Sequence, residues 1–241
     1  MKTSLNIYIS SKNSEKRIYP VNIEKLTEPN KNDNSIVKIN KSIERQTLLG
    51  FGGSFTEASS SIYSGLDIDK KEEIIEAYFG ASGNRYSMAR THINSCDFSL
   101  GNYAYCETIG DSQLNNFSIE HDKTMLIPFI KDALKESTIP LHILASPWSP
   151  PAWMKTNGEM NNGGKLKDEY RDAWAHYFCK YVKAYENEGI PIWGVSVQNE
   201  PAAKQVWDSC LYSAEEEKVF VRDYLGPAFT DNYLQDKKIV I

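Results

Sequence analysis

The strongest constraint on this chain is a rhythm that begins at Leu48. Apolar runs at 48–55 (LLGFGGSF), 85–93 (RYSMARTHI), 140–146 (PLHILAS) and 192–198 (IWGVSVQ) alternate with helical patterns, and a fifth run, KIVI, follows at 238–241. A strand that returns through a helix lies parallel to its predecessor, so the repeat predicts a parallel sheet covered by helices. Two architectures compete, an open doubly wound sheet and a closed (β/α)8 barrel. The open sheet calls for a glycine-rich phosphate loop with G-x-G-x-x-G spacing after a strand. GFGGS lacks that spacing and reads instead as a tight turn or a close backbone approach. The expectation is the barrel.

The helices between the strands are legible to different degrees. In 69–80, DKKEEIIEAYFG, residues Ile74, Ile75, Tyr78 and Phe79 share a face, and Gly80 is placed to cap the C-terminus. In 169–189, Tyr170, Ala173, Trp174, Tyr177, Phe178, Tyr181, Val182 and Tyr185 recur at the 3.6-residue period, with Gly189 and Pro191 beyond. At Ser213 the sequence SAEE predicts a capping box closed by Glu216. Residues 1–47 stand apart from this repeat. LNIYIS (5–10) and SIVKIN (35–40), separated by the polar TEPNKNDNS, predict a peripheral β element, so the expected division is 1–47 and 48–241.

Composition narrows the function. The formal charge is −5 with no basic cluster, which argues against nucleic acid as the main partner. No segment approaches the roughly 20 apolar residues of a membrane span. The N-terminus has no apolar core of signal-peptide length, so the expected compartment is the cytoplasm. Cys96, Cys106, Cys179 and Cys210 are widely spaced and read as free thiols, and His92, His142 and His176 have no ligand spacing. No metal or cofactor is expected. Fourteen Tyr, nine Phe and five Trp fill a core, and they also suit a sugar, whose C–H faces stack on aromatic rings.

In a barrel the chemistry gathers where strands end. Here the strands run into NSCDFS, PWSPPAWM and QNEP, which brings Asp97, Trp148, Trp153, Asn199 and Glu200 to one rim. Glycoside hydrolysis needs a carboxylic acid to protonate the leaving oxygen, and Glu200 on a strand end is a rigid mount for one. Asn199 is placed to hydrogen-bond a sugar hydroxyl, or simply to form a turn. Three prolines in six residues stiffen the loop bearing Trp148 and Trp153. Trp153 reads equally as core packing. Asp97 either binds two sugar hydroxyls or caps a turn. Arg90, inside a strand, either holds a carboxylate at the rim or snorkels to the surface.

The ordered segments GFGGSFTEA, MARTHINSCDFSLGNYAY, LASPWSPPAWMKTNG and WGVSVQNEP resemble glycoside hydrolase family 30, the glucosylceramidase (acid β-glucosidase) family. The resemblance runs from about Leu48 to the C-terminus. It implies a (β/α)8 barrel with an attached β-sandwich, whose first strands 1–47 would supply. It also implies retaining hydrolysis of β-glucosides such as glucosylceramide, or of β-1,6-glucans or β-xylosides. Glu200 matches the acid/base; Asp97, Trp148 and Asn199 match contacts to the sugar, and Arg90 matches an arginine near the catalytic carboxylates.

The family nucleophile is a second glutamate at the end of the seventh strand. Four complete strands and the start of a fifth are counted here, so the nucleophile is expected to be absent and the barrel to be present as its first half. Open strand edges then predict poor stability, self-association, or dependence on a complementary segment. The competing expectation is a sugar-binding module or an inactive remnant.

Overall fold

A computed structural model describes residues 6–21 and 39–241. The chain separates into two units, Met1–Thr47 and Leu48–Ile241. In the first, β1 (Ile7–Ile9) pairs antiparallel with β2 (Tyr19–Val21), Ile7 facing Val21. The run LNIYIS thus yields a strand. Its partner carries Pro20, which cannot donate to a ladder and is tolerated at an edge. Most of SIVKIN (35–38) lies outside the described residues.

The second unit is built on five parallel strands: β3 (Gly52–Ser54), β4 (Met88–Ile93), β5 (His142–Pro147), β6 (Ile192–Ser196) and β7 (Lys238–Val240). Their order in the sheet is their order in the chain. A doubly wound sheet reverses direction at a switch point; this one does not, and the winding is that of a barrel. Each of the five runs predicted from sequence contributes one strand. The glycines of GFGGS serve close approach: a Cβ on Gly52 would sit 1.4 Å from the Met88 carbonyl oxygen. The register slips once, between Ile143 and Leu144, where β5 meets β6.

Helices α1 (Glu57–Ser64) and α2 (Ile68–Phe79) follow β3, α3 (Leu126–Glu136) follows β4, and α4 (Arg171–Asn187) follows β5. The aromatic stripe of α4 is core: Trp174, Tyr177, Phe178, Tyr181, Val182 and Tyr185 are fully buried. The helix stops at Gly189, which takes φ +80°. In α2 the predicted face is only half realised. Ile75 and Phe79 are buried and Ile74 partly so, but Tyr78 is exposed and leans on Tyr86. Gly80 caps α2 in an extended rather than a left-handed conformation. Ser213 and Glu216 form the predicted capping box of α5 (Ala214–Phe220). A π-helical turn over Val221–Leu225 then leads into α6 (Gly226–Asp231). Pro227, which has no N–H to give the preceding turn, accounts for that wide step.

Beneath the loop after β4 lies a buried polar knot. The Asp122 carboxylate is 1% exposed and accepts from the hydroxyls of Tyr103 (2.8 Å), Tyr105 (2.6 Å) and Tyr185 (2.6 Å). Burial, first of all, and the nearby carboxylate push all three phenols well above their ordinary value. Much of the aromatic content that fitted sugar stacking is therefore structural.

Candidate active site

The C-terminal ends of β4, β5 and β6 carry the predicted site residues. Arg90, on β4, is half-buried and makes no ion pair with a carboxylate among the described residues. Its Nε donates to Ser146 Oγ on β5 at 2.9 Å, and its Nη2 donates to Asn199 Oδ1 beyond β6 at 2.8 Å. The guanidinium carbon lies 4.6 Å from the centroid of the Trp148 ring. Ser196 completes the row, donating to Ser146 at 2.7 Å. Arg90 thus neither snorkels freely nor clamps a carboxylate directly. It joins the side chains of Asn199 and Trp148. Burial draws its guanidinium below the ordinary value, while attraction to Cys96, Asp97 and Glu200 acts in the opposite sense. Both acidic residues therefore lie within the field of Arg90, though not bonded to it.

Glu200 is exposed, and its Oε2 accepts a long contact from Gln205 at 3.4 Å. Its backbone has φ +46°, the left-handed region that a non-glycine residue enters at a cost of about 1–3 kcal/mol. The turn is held from both sides. Asn199 N donates to Pro147 O at 2.8 Å, Ala203 N donates to Glu200 O at 2.9 Å, and Tyr212 N donates to Pro201 O at 2.9 Å. Gln198 Nε2 donates to Trp148 O at 2.7 Å, tying the two strand ends together. Asp97 is exposed between the buried Cys96 and the exposed Phe98. Trp153 departs from the rim: it is 8% exposed, its indole N–H donates to Cys106 O, and it packs edge-on against Tyr170. Its role is core packing.

A cleft of about 330 Å³ opens beside Arg90 and Trp148, walled further by Ser54, Phe55, Cys96 and Phe98. Its volume is in the range of small-molecule sites. Among the described residues no three His, Cys, Asp or Glu side chains converge on one point, and no helix is long and apolar enough to cross a membrane.

Several residues that position these loops are not apparent from the sequence. Asn94, fully buried at φ +62°, donates to Ser149 O at 3.0 Å and accepts from Tyr105 N and the Tyr177 hydroxyl. Asp208 accepts from Ser95 at 2.7 Å and Asn102 at 2.9 Å. Lys155, also fully buried, donates to Met160 O (2.8 Å) and Ser209 O (2.6 Å). The three rim loops are thereby joined pairwise. Asn94 at a strand end offered a turn signal; Lys155 and Asp208 offered none, because their partners are distant in sequence.

The family model described as the glycosyl hydrolase family 30 TIM-barrel domain matches residues 48–241. The lysosomal acid glucosylceramidase of Mus musculus is 38% identical over 205 residues, covering 81% of this chain and 40% of that protein. The crystal structure of SrfJ from Salmonella typhimurium aligns with a TM-score of 0.78 at 44% identity, over 81% of this chain and 44% of that one. A solved endo-β1,6-glucanase aligns with a TM-score of 0.77 at 29% identity, over 83% and 45%. The chain spans about 40% of the length of the curated relatives it matches.

Proposed function

The chain belongs to glycosyl hydrolase family 30, and on that premise we propose that it supplies the acid/base half of a retaining β-glycosidase site acting on β-glucosides such as glucosylceramide. Glu200 is the general acid/base. Its carboxyl proton passes to the glycosidic oxygen as the bond to the anomeric carbon breaks. A second carboxylate, from a segment beyond the strands described here, attacks that carbon and holds the glycosyl group. Glu200, now a carboxylate, takes a proton from the water that releases the sugar. Asn199 and Asp97 bind sugar hydroxyls, and Trp148 walls the glycone.

The observation that supports this reading best is the bonding of Arg90 to Asn199 and its stacking on Trp148. It fixes the residue next to Glu200 against an aromatic wall beside a sugar-sized cleft. The decisive experiment is Glu200→Gln in the full-length protein. Turnover of alkyl or lipid glucosides, whose leaving groups need a proton, falls by at least about 10³-fold, while activated aryl glucosides lose less. Undiminished hydrolysis of an alkyl glucoside by the variant contradicts the assignment.

A second reading, β-1,6-glucan as substrate, is supported by the likeness to the endo-β1,6-glucanase structure. Relative rates on gentiobiosyl and glucolipid substrates separate the two. Among the described residues the strands β3 and β7 each have one neighbour, and covering of their other edges by further strands or a second copy is part of the proposal. A cooperative, monomeric unfolding transition of residues 1–241 alone would refute that part.

A further inference from the structure

The loop that carries Asp97 is tied at its ends, where Ser95 and Asn102 donate to Asp208, and the side chains between them hold it little. Phe98 is 56% exposed and Leu100 65%, so neither side chain anchors it by burial. Ser99 folds back on Cys96 through two hydrogen bonds, 2.9 and 3.0 Å, which shape the turn but do not place it. Between those ties its position is set by α1. Ala58 N donates to Phe98 O at 2.9 Å, and Leu100 N donates to Glu57 Oε2 at 2.8 Å.

Glu57, the first residue of α1, is 3% exposed. A carboxylate so deeply buried needs partners on both oxygens. Oε1 meets Nε2 of His121 at 2.6 Å. The His121 ring is itself fixed, stacked on Tyr103 with centroids 3.7 Å apart, and the Tyr103 hydroxyl donates to Asp122. A continuous line of contacts therefore runs from the buried Asp122 through Tyr103, His121 and Glu57 to the backbone three residues beyond Asp97.

We propose that Glu57, oriented by His121, is a positioning residue that sets the Asp97 loop for substrate binding. The role rests on the reading of Asp97 as a sugar-binding group. Glu57 touches no substrate. It acts by accepting from Leu100 N on one oxygen while His121 Nε2 meets the other.

Replacement by glutamine changes that logic. With its single carbonyl oxygen turned to Leu100 N, the glutamine presents its amide N–H₂ to Nε2 of His121 in place of an acceptor. The Glu57→Gln variant therefore keeps the contact to Leu100 and gives up the acceptor that orients it against His121.

The test is steady-state kinetics of the full-length protein on a β-glucoside, with Glu57→Ala, Glu57→Gln, His121→Ala, Asp97→Ala and Glu200→Gln. Glu57→Ala is expected to raise KM by roughly 10–100-fold while kcat changes less than about threefold, since a misplaced binding loop weakens capture more than proton transfer. Glu57→Gln, which keeps an acceptor for Leu100 N, is expected to raise KM less than Glu57→Ala, and His121→Ala to raise KM with kcat again nearly unchanged. An unchanged KM in folded Glu57→Ala, or a Glu57→Gln variant no better than Glu57→Ala, overturns the proposal. Should Glu57→Ala fail to fold, an unchanged KM in both Glu57→Gln and His121→Ala overturns it. Normal turnover by Asp97→Ala and Glu200→Gln would defeat the underlying functional reading instead. Loss in those two, with Glu57 variants indifferent, defeats only the positioning role.

Discussion

The Arg90 guanidinium lies 4.6 Å from the Trp148 ring centroid and at the same time donates to Asn199 at 2.8 Å. One planar group performs both tasks because a guanidinium has a face for stacking and an edge of N–H donors. A lysine has neither the face nor the fork. Arg90→Lys is expected to lower kcat/KM on a β-glucoside by about 10–100-fold with the circular dichroism spectrum unchanged. Activity within about twofold of wild type would show that Asn199 holds its place unaided.

Lys155 offers a pH signature. Burial pushes its ammonium down to about 8, against about 10.4 in an unfolded chain. Between those values the unfolded chain keeps a proton that the folded one has released, so this residue makes folding more favourable as pH rises through the window. Below about 8 the buried charge costs its full amount, of order 3 kcal/mol. The stability difference between wild type and Lys155→Met, followed by urea denaturation, should shift toward wild type from pH 7.5 to 10.5. A constant difference would mean that the ammonium remains charged throughout.

The Asp122 cluster is a test of packing rather than of chemistry. Three tyrosine hydroxyls converge on one carboxylate. Asn at this position has one acceptor oxygen in place of two, leaving a buried hydroxyl short of a partner. Asp122→Asn should destabilise the fold by about 2–4 kcal/mol in chemical denaturation.

At the start of α5 the effect is smaller and lies at acid pH. Lys165 foremost, and then the backbone and hydroxyl of Ser213, hold Glu216 down to about 2. The folded value lies below the unfolded one near 4.3, so this contribution is complete above that pH and disappears as pH falls toward 2. The stability gap between wild type and Glu216→Gln should close over that interval. Ser213→Ala, which removes the cap oxygen, should cost about 1 kcal/mol at neutral pH.

The parallel sheet was legible because its signal is repetitive: five apolar runs, each with a helix between it and the next, leave few topologies. The α4 stripe was legible for the same reason, since Trp174 through Tyr185 keep one period over about three turns. Tyr78 was misplaced because periodicity places a residue on a side of the helix without stating how far its neighbours reach. Arg90, Trp148 and Asn199 were each singled out as candidates, but their mutual bonding was not foreseen, because a contact spanning 109 residues between Arg90 and Asn199 leaves no local trace. Lys155 and Trp153 illustrate the converse. Neighbours in one motif, they serve buried carbonyl groups rather than the rim.

The sheet adds its strands in the order in which the chain is written, from β3 to β7. During synthesis each new strand therefore meets an edge already made, and no strand must wait for a later one to be inserted beside it. Arg90 and Ser146 can be joined before Asn199 emerges. Glu200 then arrives last, onto a support that is already assembled. A domain built in this sequence forms its sheet through pairings between strands adjacent in the chain, each of which closes one strand–helix–strand loop.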